Sequence, residues 1–159
     1  DAGCGSGYGD HILLATCQQV IGVDKSPEAI EYAQWKADKQ RASHRLDYLV
    51  ADLSDFKVEQ PVDAIVCVEV IEHLTVQDQA RALECFTKAL VPHAGVLAIT
   101  TPKRDEKGGP MTAHHLHEFS EDEFEAFLNI YFEEVAFDDP KDFSIPPQFL
   151  LARCSGARR

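Results

Sequence analysis

Asp1-Ala-Gly-Cys-Gly-Ser-Gly-Tyr-Gly9 constrains this chain more than any other stretch, because it sets four glycines at alternate positions. Glycine admits left-handed backbone and lets the main chain come close to a ligand. Turns of this kind join a strand to a helix in nucleotide-binding sheets. The spacing Gly3-x-Gly5-x-Gly7 is not that of the dinucleotide fingerprint. Its third glycine would fall at Tyr8 counted from Gly3, or at Asp10 counted from Gly5. No Gly-Lys-Ser/Thr follows, so a P-loop is absent too. Gln19 to Asp24 reads as a short buried strand ending on an acid, about twenty residues after the turn, where it can accept from ribose hydroxyls. Ser26-Pro27 supplies the cap and first residue of the next helix, which leaves Asp24 open for that role. Asp52, after the strand-like Leu46 to Val50, is either an adenine partner or a turn former.

Apolar runs alternate with helical ones along the rest of the chain. Asp10 to Gln18 and Pro27 to about Gln40 read as helices, and Ala29, Ile30, Ala33 and Ala37 share one face of the second. Val62 to Val68 is nearly continuous in apolar residues, as in a strand covered on both faces. Leu83, Phe86, Thr87 and Leu90 form a helical stripe that stops before Pro92 and Gly95. Val96 to Thr101 is strand-like, and Lys103 to Pro110 reads as a mobile loop. Ser120-Glu-Asp-Glu123 is a capping box with Phe119 and Phe124 as its hydrophobic staple. Tyr131 to Phe137 and Gln148 to Arg153 read as two closing strands. Strands alternating with helices imply a mostly parallel sheet with helices on both faces. Gly3 to Gly9, Asp24, Asp52, Glu69 and Thr101 would lie on the edge formed by the strands' C-terminal ends.

With 159 residues, 45% of them hydrophobic, the chain can bury one core. Its net charge of −12 speaks against a general nucleic-acid binder, and the locally basic Lys36 to Arg45 stretch reads as solvated surface. Five cysteines without a CxxC pair fit reduced thiols in a cytoplasmic protein. No apolar run is long enough to span a membrane, and no signal peptide is visible.

Four motifs in order resemble those of the class I S-adenosylmethionine-dependent methyltransferases. They are Asp1 to Gly9; Val20-Ile-Gly-Val-Asp24-Lys-Ser-Pro with Ala51-Asp52-Leu53; Val62 to Leu74; and Gly95 to Pro102. The resemblance runs through essentially the whole chain, read as a single methyltransferase domain, 1–159. It implies a Rossmann-like, doubly wound α/β fold of seven strands with the last antiparallel. The family's first strand, and N-terminal helices that often cover the substrate, would precede Asp1, so the domain reads as N-terminally incomplete. The cofactor implied is S-adenosyl-L-methionine, giving S-adenosyl-L-homocysteine. Asp1, Gly3, Cys4, Gly5, Asp24, Lys25, Asp52, Leu53 and Glu69 are its implied binding residues, with Glu69 beside the transferring methyl group.

Glu69-Val-Ile-Glu72-His73 spaces two acids and an imidazole so that a helical turn would put all three on one face. His114-His115-Leu-His117-Glu118 forms a second cluster. Glu72, His73, His115 and His117 are the candidate catalytic groups, with His115 or His117 favoured as general base. The alternatives are pocket-shaping or capping, and a metal. No metal is expected, but if one binds, Glu69, Glu72, His73 and His115 would hold it, as the resemblance to small-RNA 3′-terminal 2′-O-methyltransferases at those positions implies. The expected activity is methyl transfer to an oxygen or nitrogen, less readily a carbon, of a small-molecule or carrier- or glycan-linked acceptor. The alternatives are a metal-dependent RNA 2′-O-methyltransferase and a non-catalytic cofactor-binding scaffold.

Overall fold

The computed structural model describes residues 1–104, 112–143 and 146–158. All but the first two residues of the expected Lys103 to Pro110 loop therefore lie outside the described residues. The chain divides into two compact units, Asp1–Phe56 and Lys57–Arg159.

In the first unit Asp1 to Gly3 runs parallel to β1 (Val20–Asp24). The Asp1 nitrogen donates to Ile21 O at 2.8 Å, Val23 N to Asp1 O at 2.9 Å, and Gly3 N to Val23 O at 2.7 Å. The glycine turn follows, then α1 (Tyr8–Leu13). β1 leads into α2 (Pro27–Lys39) and β2 (Leu46–Val50), and β1 and β2 pair in parallel from Val20↔Leu46 to Asp24↔Val50. Ser26 Oγ accepts from Ala29 N at 3.2 Å with Pro27 as the first helical residue, so α2 starts where its cap signals lie. Val20, Ala37 and Leu46 are buried, with Leu13, Leu14, Cys17 and Tyr48 packed around them.

Helix α1 starts two residues earlier and ends sooner than the expected Asp10 to Gln18, and Arg45 holds the chain that follows it. Its Nη2 donates to Leu14 O at 3.0 Å and to Cys17 O, and its Nε to Gln18 O at 2.8 Å. The guanidinium fork thus satisfies carbonyls that follow the last turn of α1. Arg45 is a structural cap, not the solvated charge its basic neighbourhood implies.

In the second unit the described strands are β3 (Ala64–Val68), β4 (Val96–Pro102), β5 (Phe132–Phe137) and β6 (Phe149–Ala157), in the order β3-β4-β6-β5. β3 and β4 are parallel, and β6 runs antiparallel to both of its neighbours. The antiparallel closing pair is therefore present, and β6 extends four residues past the expected Arg153. Its last residues lack a strand-like pattern. They are held by pairing with β5 as far as Phe132↔Ala157 and by Ser155 Oγ donating to Glu134 at 2.8 Å. α3 (Val76–Ala89) is capped by Thr75 and buries Ala82, Leu83 and Phe86. α4 (Glu121–Tyr131) starts in a full capping box between Ser120 and Glu123. The Phe119 and Phe124 rings are 5.0 Å apart as its staple.

Together the strands are parallel within each sheet except β6, the mixed α/β arrangement expected of the doubly wound class. None of the five cysteines is joined in a disulfide, and Cys4, Cys67 and Cys154 are buried. Among the described residues no helix is long and apolar enough to cross a membrane.

Candidate active site

Each unit carries one cluster of candidate residues. In the first unit the backbone turns left-handed at Gly3, Gly5 and Gly7, with φ of 81°, 52° and 73°. Asp24, the last residue of β1, holds this turn. Its Oδ2 accepts from Gly5 N at 2.9 Å and its Oδ1 from Ser26 N at 2.8 Å. Asp24 therefore has a structural task that the sequence hides. Each carboxylate oxygen still has a second lone pair for a ligand hydroxyl.

The two central glycines differ in kind. A Cβ on Gly7 would lie 2.6 Å from the Tyr48 hydroxyl and 3.0 Å from Ala33 Cβ, so Gly7 faces the interior. A Cβ on Gly5 would meet no atom within 4 Å. Gly5 is thus the open side of the turn, where backbone can meet a ligand. Asp1 Oδ2 lies beside Gly9, at 2.8 Å from where its Cβ would be.

Asp52 lies two residues beyond β2. Its Oδ1 accepts from Ser54 N at 2.8 Å and from Ser54 Oγ at 2.7 Å, an Asx turn. Those bonds, with help from the exposed Lys25 ammonium, hold the Asp52 carboxyl below the usual carboxylate range, so it stays ionised more readily. Leu53 and Cys4 are buried, and burial pushes the Cys4 thiol up to about 12. A fixed anion at a strand end, a second fixed anion after the neighbouring strand and an open glycine backbone form a donor and acceptor set that fits a nucleoside with free ribose hydroxyls.

The second unit gathers Glu69, Glu72, His73, His115 and Glu118. The expected helical face is not what joins them. Only Ile71–His73 is helical, as a single 3₁₀ turn, while Glu69 directly after β3 has a left-handed φ of 56°. Thr100 of β4 braces Glu69: its hydroxyl accepts from Glu69 N at 3.2 Å and donates to Glu69 Oε1 at 2.7 Å.

Glu72 is 1% exposed, and Thr101 Oγ1 donates to its Oε2 at 3.4 Å. Its carbonyl accepts from Leu116 N at 2.8 Å and His117 N at 3.2 Å, which ties the histidine segment to the 3₁₀ turn. Burial pushes the carboxyl groups of both Glu69 and Glu72 above the ordinary carboxylate range, so each is a weaker acid than usual.

Both imidazoles are anchored through Nδ1. His73 Nδ1 lies 3.1 Å from the His114 carbonyl, which can only accept, so this nitrogen carries the proton. His115 Nδ1 lies 2.5 Å from Oε1 of the buried Glu118. The two rings meet edge to face at 4.9 Å, and His73 Nε2 is 3.9 Å from Glu72 Oε1. Ligand atoms of Glu72, His73 and His115 all lie within 4.8 Å of one another; Glu69 is not in that group. His117 turns the other way, edge-on to Phe119 at 4.5 Å.

Glu118 belongs to the histidine cluster by sequence but has no role assigned there, and Thr100 has none either. The i, i+3 spacing of His115 and Glu118 was the available signal for the first. Nothing in the sequence announces the second, because the contact depends on β3–β4 register.

The protein-family model described as a methyltransferase domain matches residues 1–93. A probable S-adenosylmethionine-dependent methyltransferase of Mycobacterium tuberculosis is 31% identical over 133 residues, covering 80% of this chain and 45% of its own length. A ubiquinone biosynthesis O-methyltransferase of Xylella fastidiosa is 32% identical over 106 residues, 65% of this chain and 41% of its own. The chain thus spans about half the length of the curated relatives it matches. Among solved structures, an S-adenosylmethionine-dependent methyltransferase from Clostridium acetobutylicum superimposes with a TM-score of 0.80 at 13% identity, covering 99% of this chain and 83% of the other. The glycine turn, the two strand-end acids and the mixed sheet agree with that likeness: the chain belongs to the class I S-adenosylmethionine-dependent methyltransferase family.

Proposed function

We propose that this chain carries the methyl-transfer site of an enzyme acting on an oxygen or nitrogen of a small-molecule or carrier- or glycan-linked acceptor in the cytoplasm. The observation that carries the acceptor chemistry is the His115–Glu118 pair. Glu118 fixes Nδ1, so His115 offers Nε2 as the base that takes the proton of a hydroxyl or amine. S-adenosylmethionine supplies an electrophilic methyl group when bound, so the chain's remaining task is alignment. Asp24 and Asp52 are the ribose and adenine partners in this proposal, Gly3 and Gly5 line the methionine portion, and Glu69 borders the methyl group.

Isothermal titration of the full-length protein with S-adenosylhomocysteine is the first test, and absence of binding would sink the proposal. The second is a panel of phenolic, amine and sugar acceptors assayed with the parent and with His115→Asn. A loss of about a hundredfold in kcat is expected from removing a general base, and an unchanged kcat refutes that role.

A second reading draws on one specific observation. Two imidazoles anchored at Nδ1, each leaving Nε2 for a ligand, flank the buried Glu72 carboxylate. A carbonyl or carboxylate behind a ligating histidine is the usual support of a metal ligand, and mixed imidazole and carboxylate donors suit a borderline divalent cation. Glu72, His73 and His115 would hold it, and a nearby acceptor hydroxyl would lose its proton more readily. A ribose hydroxyl of RNA is the acceptor in that case, although the net charge of −12 opposes it. Full activity in EDTA, together with no metal in the purified protein, removes this reading.

A further inference from the structure

Glu69 has backbone strain that its own sequence does not require. A non-glycine residue at φ 56° is uncommon, and the left-handed region is costly for an L-residue unless its surroundings impose it. Among the described residues, the hydrogen bonds that hold Glu69 come from one residue, Thr100. The regular bond from Glu69 N to the Thr100 carbonyl is stretched to 3.4 Å as the chain leaves the sheet. The Thr100 hydroxyl takes over at 3.2 Å, and the same hydroxyl donates to Glu69 Oε1 at 2.7 Å. One hydroxyl thus acts on both ends of the residue. It accepts from the main chain and donates to the carboxylate.

The hydroxyl sits at a fixed place. Thr100 pairs with Val68 in the β3–β4 ladder and is 6% exposed. A buried threonine has one strongly limited set of rotamers, so the oxygen has little freedom. With Oε1 occupied, Oε2 is the oxygen left without a hydrogen bond among the described residues.

We infer that Thr100 is a positioning residue: it locks Glu69 so that one carboxylate oxygen is presented in a set direction, as a fixed negative charge that favours the cationic sulfonium of the cofactor over its neutral thioether product. The inference rests on the role of Glu69 beside the methyl group proposed above. Its consequence is discrimination between substrate and product forms of the cofactor, a property distinct from cofactor binding as such. A charge held in place favours a cation more than one that swings freely, because no reorganisation is needed when the ligand arrives.

The test measures the affinities of the full-length protein for S-adenosylmethionine and S-adenosylhomocysteine by titration calorimetry in four proteins: the parent, Thr100→Val, Thr100→Ser and Glu69→Gln. Thr100→Val keeps the shape and removes the hydroxyl, and Thr100→Ser restores the hydroxyl. The ratio of the two affinities is the readout, so a general loss of folding or of the cradle cancels. The parent's preference for the sulfonium is expected to fall about three- to tenfold in Thr100→Val. In Thr100→Ser it should stay within about twofold of the parent, since the same hydrogen bonds reform. In Glu69→Gln it should fall at least as far as in Thr100→Val.

A ratio unchanged in Thr100→Val but reduced in Glu69→Gln overturns the positioning role and leaves Glu69 beside the methyl group. A ratio unchanged in Glu69→Gln overturns the placement of Glu69 itself. Absence of binding by the parent overturns the proposed function, and this inference with it.

Discussion

Alanine at Gly5 and at Gly7 should produce opposite failures, although the two glycines are neighbours in one motif with similar φ angles of 52° and 73°. Both substitutions pay for a left-handed L-residue, about 1–2 kcal/mol. Both recover about 0.4–1 kcal/mol from a less flexible unfolded chain. The net backbone cost is therefore about 1 kcal/mol at each site. At Gly5 nothing is added to it, since the new methyl group meets no atom within 4 Å. At Gly7 the methyl group arrives 2.6 Å from the Tyr48 hydroxyl and 3.0 Å from Ala33 Cβ, so overpacking adds about 1–3 kcal/mol. Gly5→Ala should thus lower the melting temperature by about 2–4 °C, and Gly7→Ala by about 5–15 °C. Affinity for S-adenosylhomocysteine should move the other way round. The Gly5 methyl group fills the open side of the turn and weakens binding about ten- to a hundredfold. Differential scanning fluorimetry gives the first quantity and calorimetry the second. If Gly5→Ala binds S-adenosylhomocysteine as tightly as the parent, the open face of Gly5 is not where the cofactor lies, and the cradle has been drawn on the wrong side of the loop.

Three further outcomes are expected. Backbone bonding from Ser120, then the Arg104 guanidinium, depresses the Glu123 carboxyl from 4.5 to about 2, so its support of α4 is complete above pH 4.5 and fades as pH falls toward 2. Glu123→Ala should cost about 0.5–1 kcal/mol at pH 7, kept small because the side chain is half exposed, with the difference in melting temperature closing on acidification. Burial raises the Glu72 carboxyl above its ordinary 4.5, so the folded state holds its proton longer and stability declines as pH climbs through the raised value. Glu72→Gln should flatten that decline in urea titrations between pH 4.5 and 8, and parallel curves for parent and variant count against it. Arg45→Ala leaves the Leu14, Cys17 and Gln18 carbonyls without their donor, for a loss of about 2–3 kcal/mol and faster hydrogen exchange at the amides of Ala15 to Cys17.

What the sequence revealed follows from range. Signals contained in one element were legible. The Ser26-Pro27 start of α2, the Ser120 to Glu123 box and the apolar cores of β3 and β4 lie close to where local chemistry puts them. The glycine spacing and Asp24 likewise belong to a single strand-turn-helix unit. Contacts between distant segments were hidden. Arg45 reaches 28 residues back to close α1, and Thr100 reaches 31 residues back to Glu69. The i, i+3, i+4 pattern at Glu69 to His73 would share one face of a helical turn, yet the chain makes one 3₁₀ turn and a left-handed residue there. The cluster is assembled instead by the Glu72 carbonyl, which captures the backbone of Leu116 and His117. No side-chain pattern records a bond between main chains far apart in sequence.

The burial of three of the five cysteines divides the thiols by reactivity. Burial pushes the thiols of Cys4, Cys67 and Cys154 up to about 12, so near neutrality they stay protonated and unreactive. Cys17 and Cys85 are the two that are partly exposed. One belongs to the unit that ends at Phe56 and the other to the unit that begins at Lys57. On this chain, maleimide labelling is therefore expected to favour Cys17 and Cys85 over the three buried thiols.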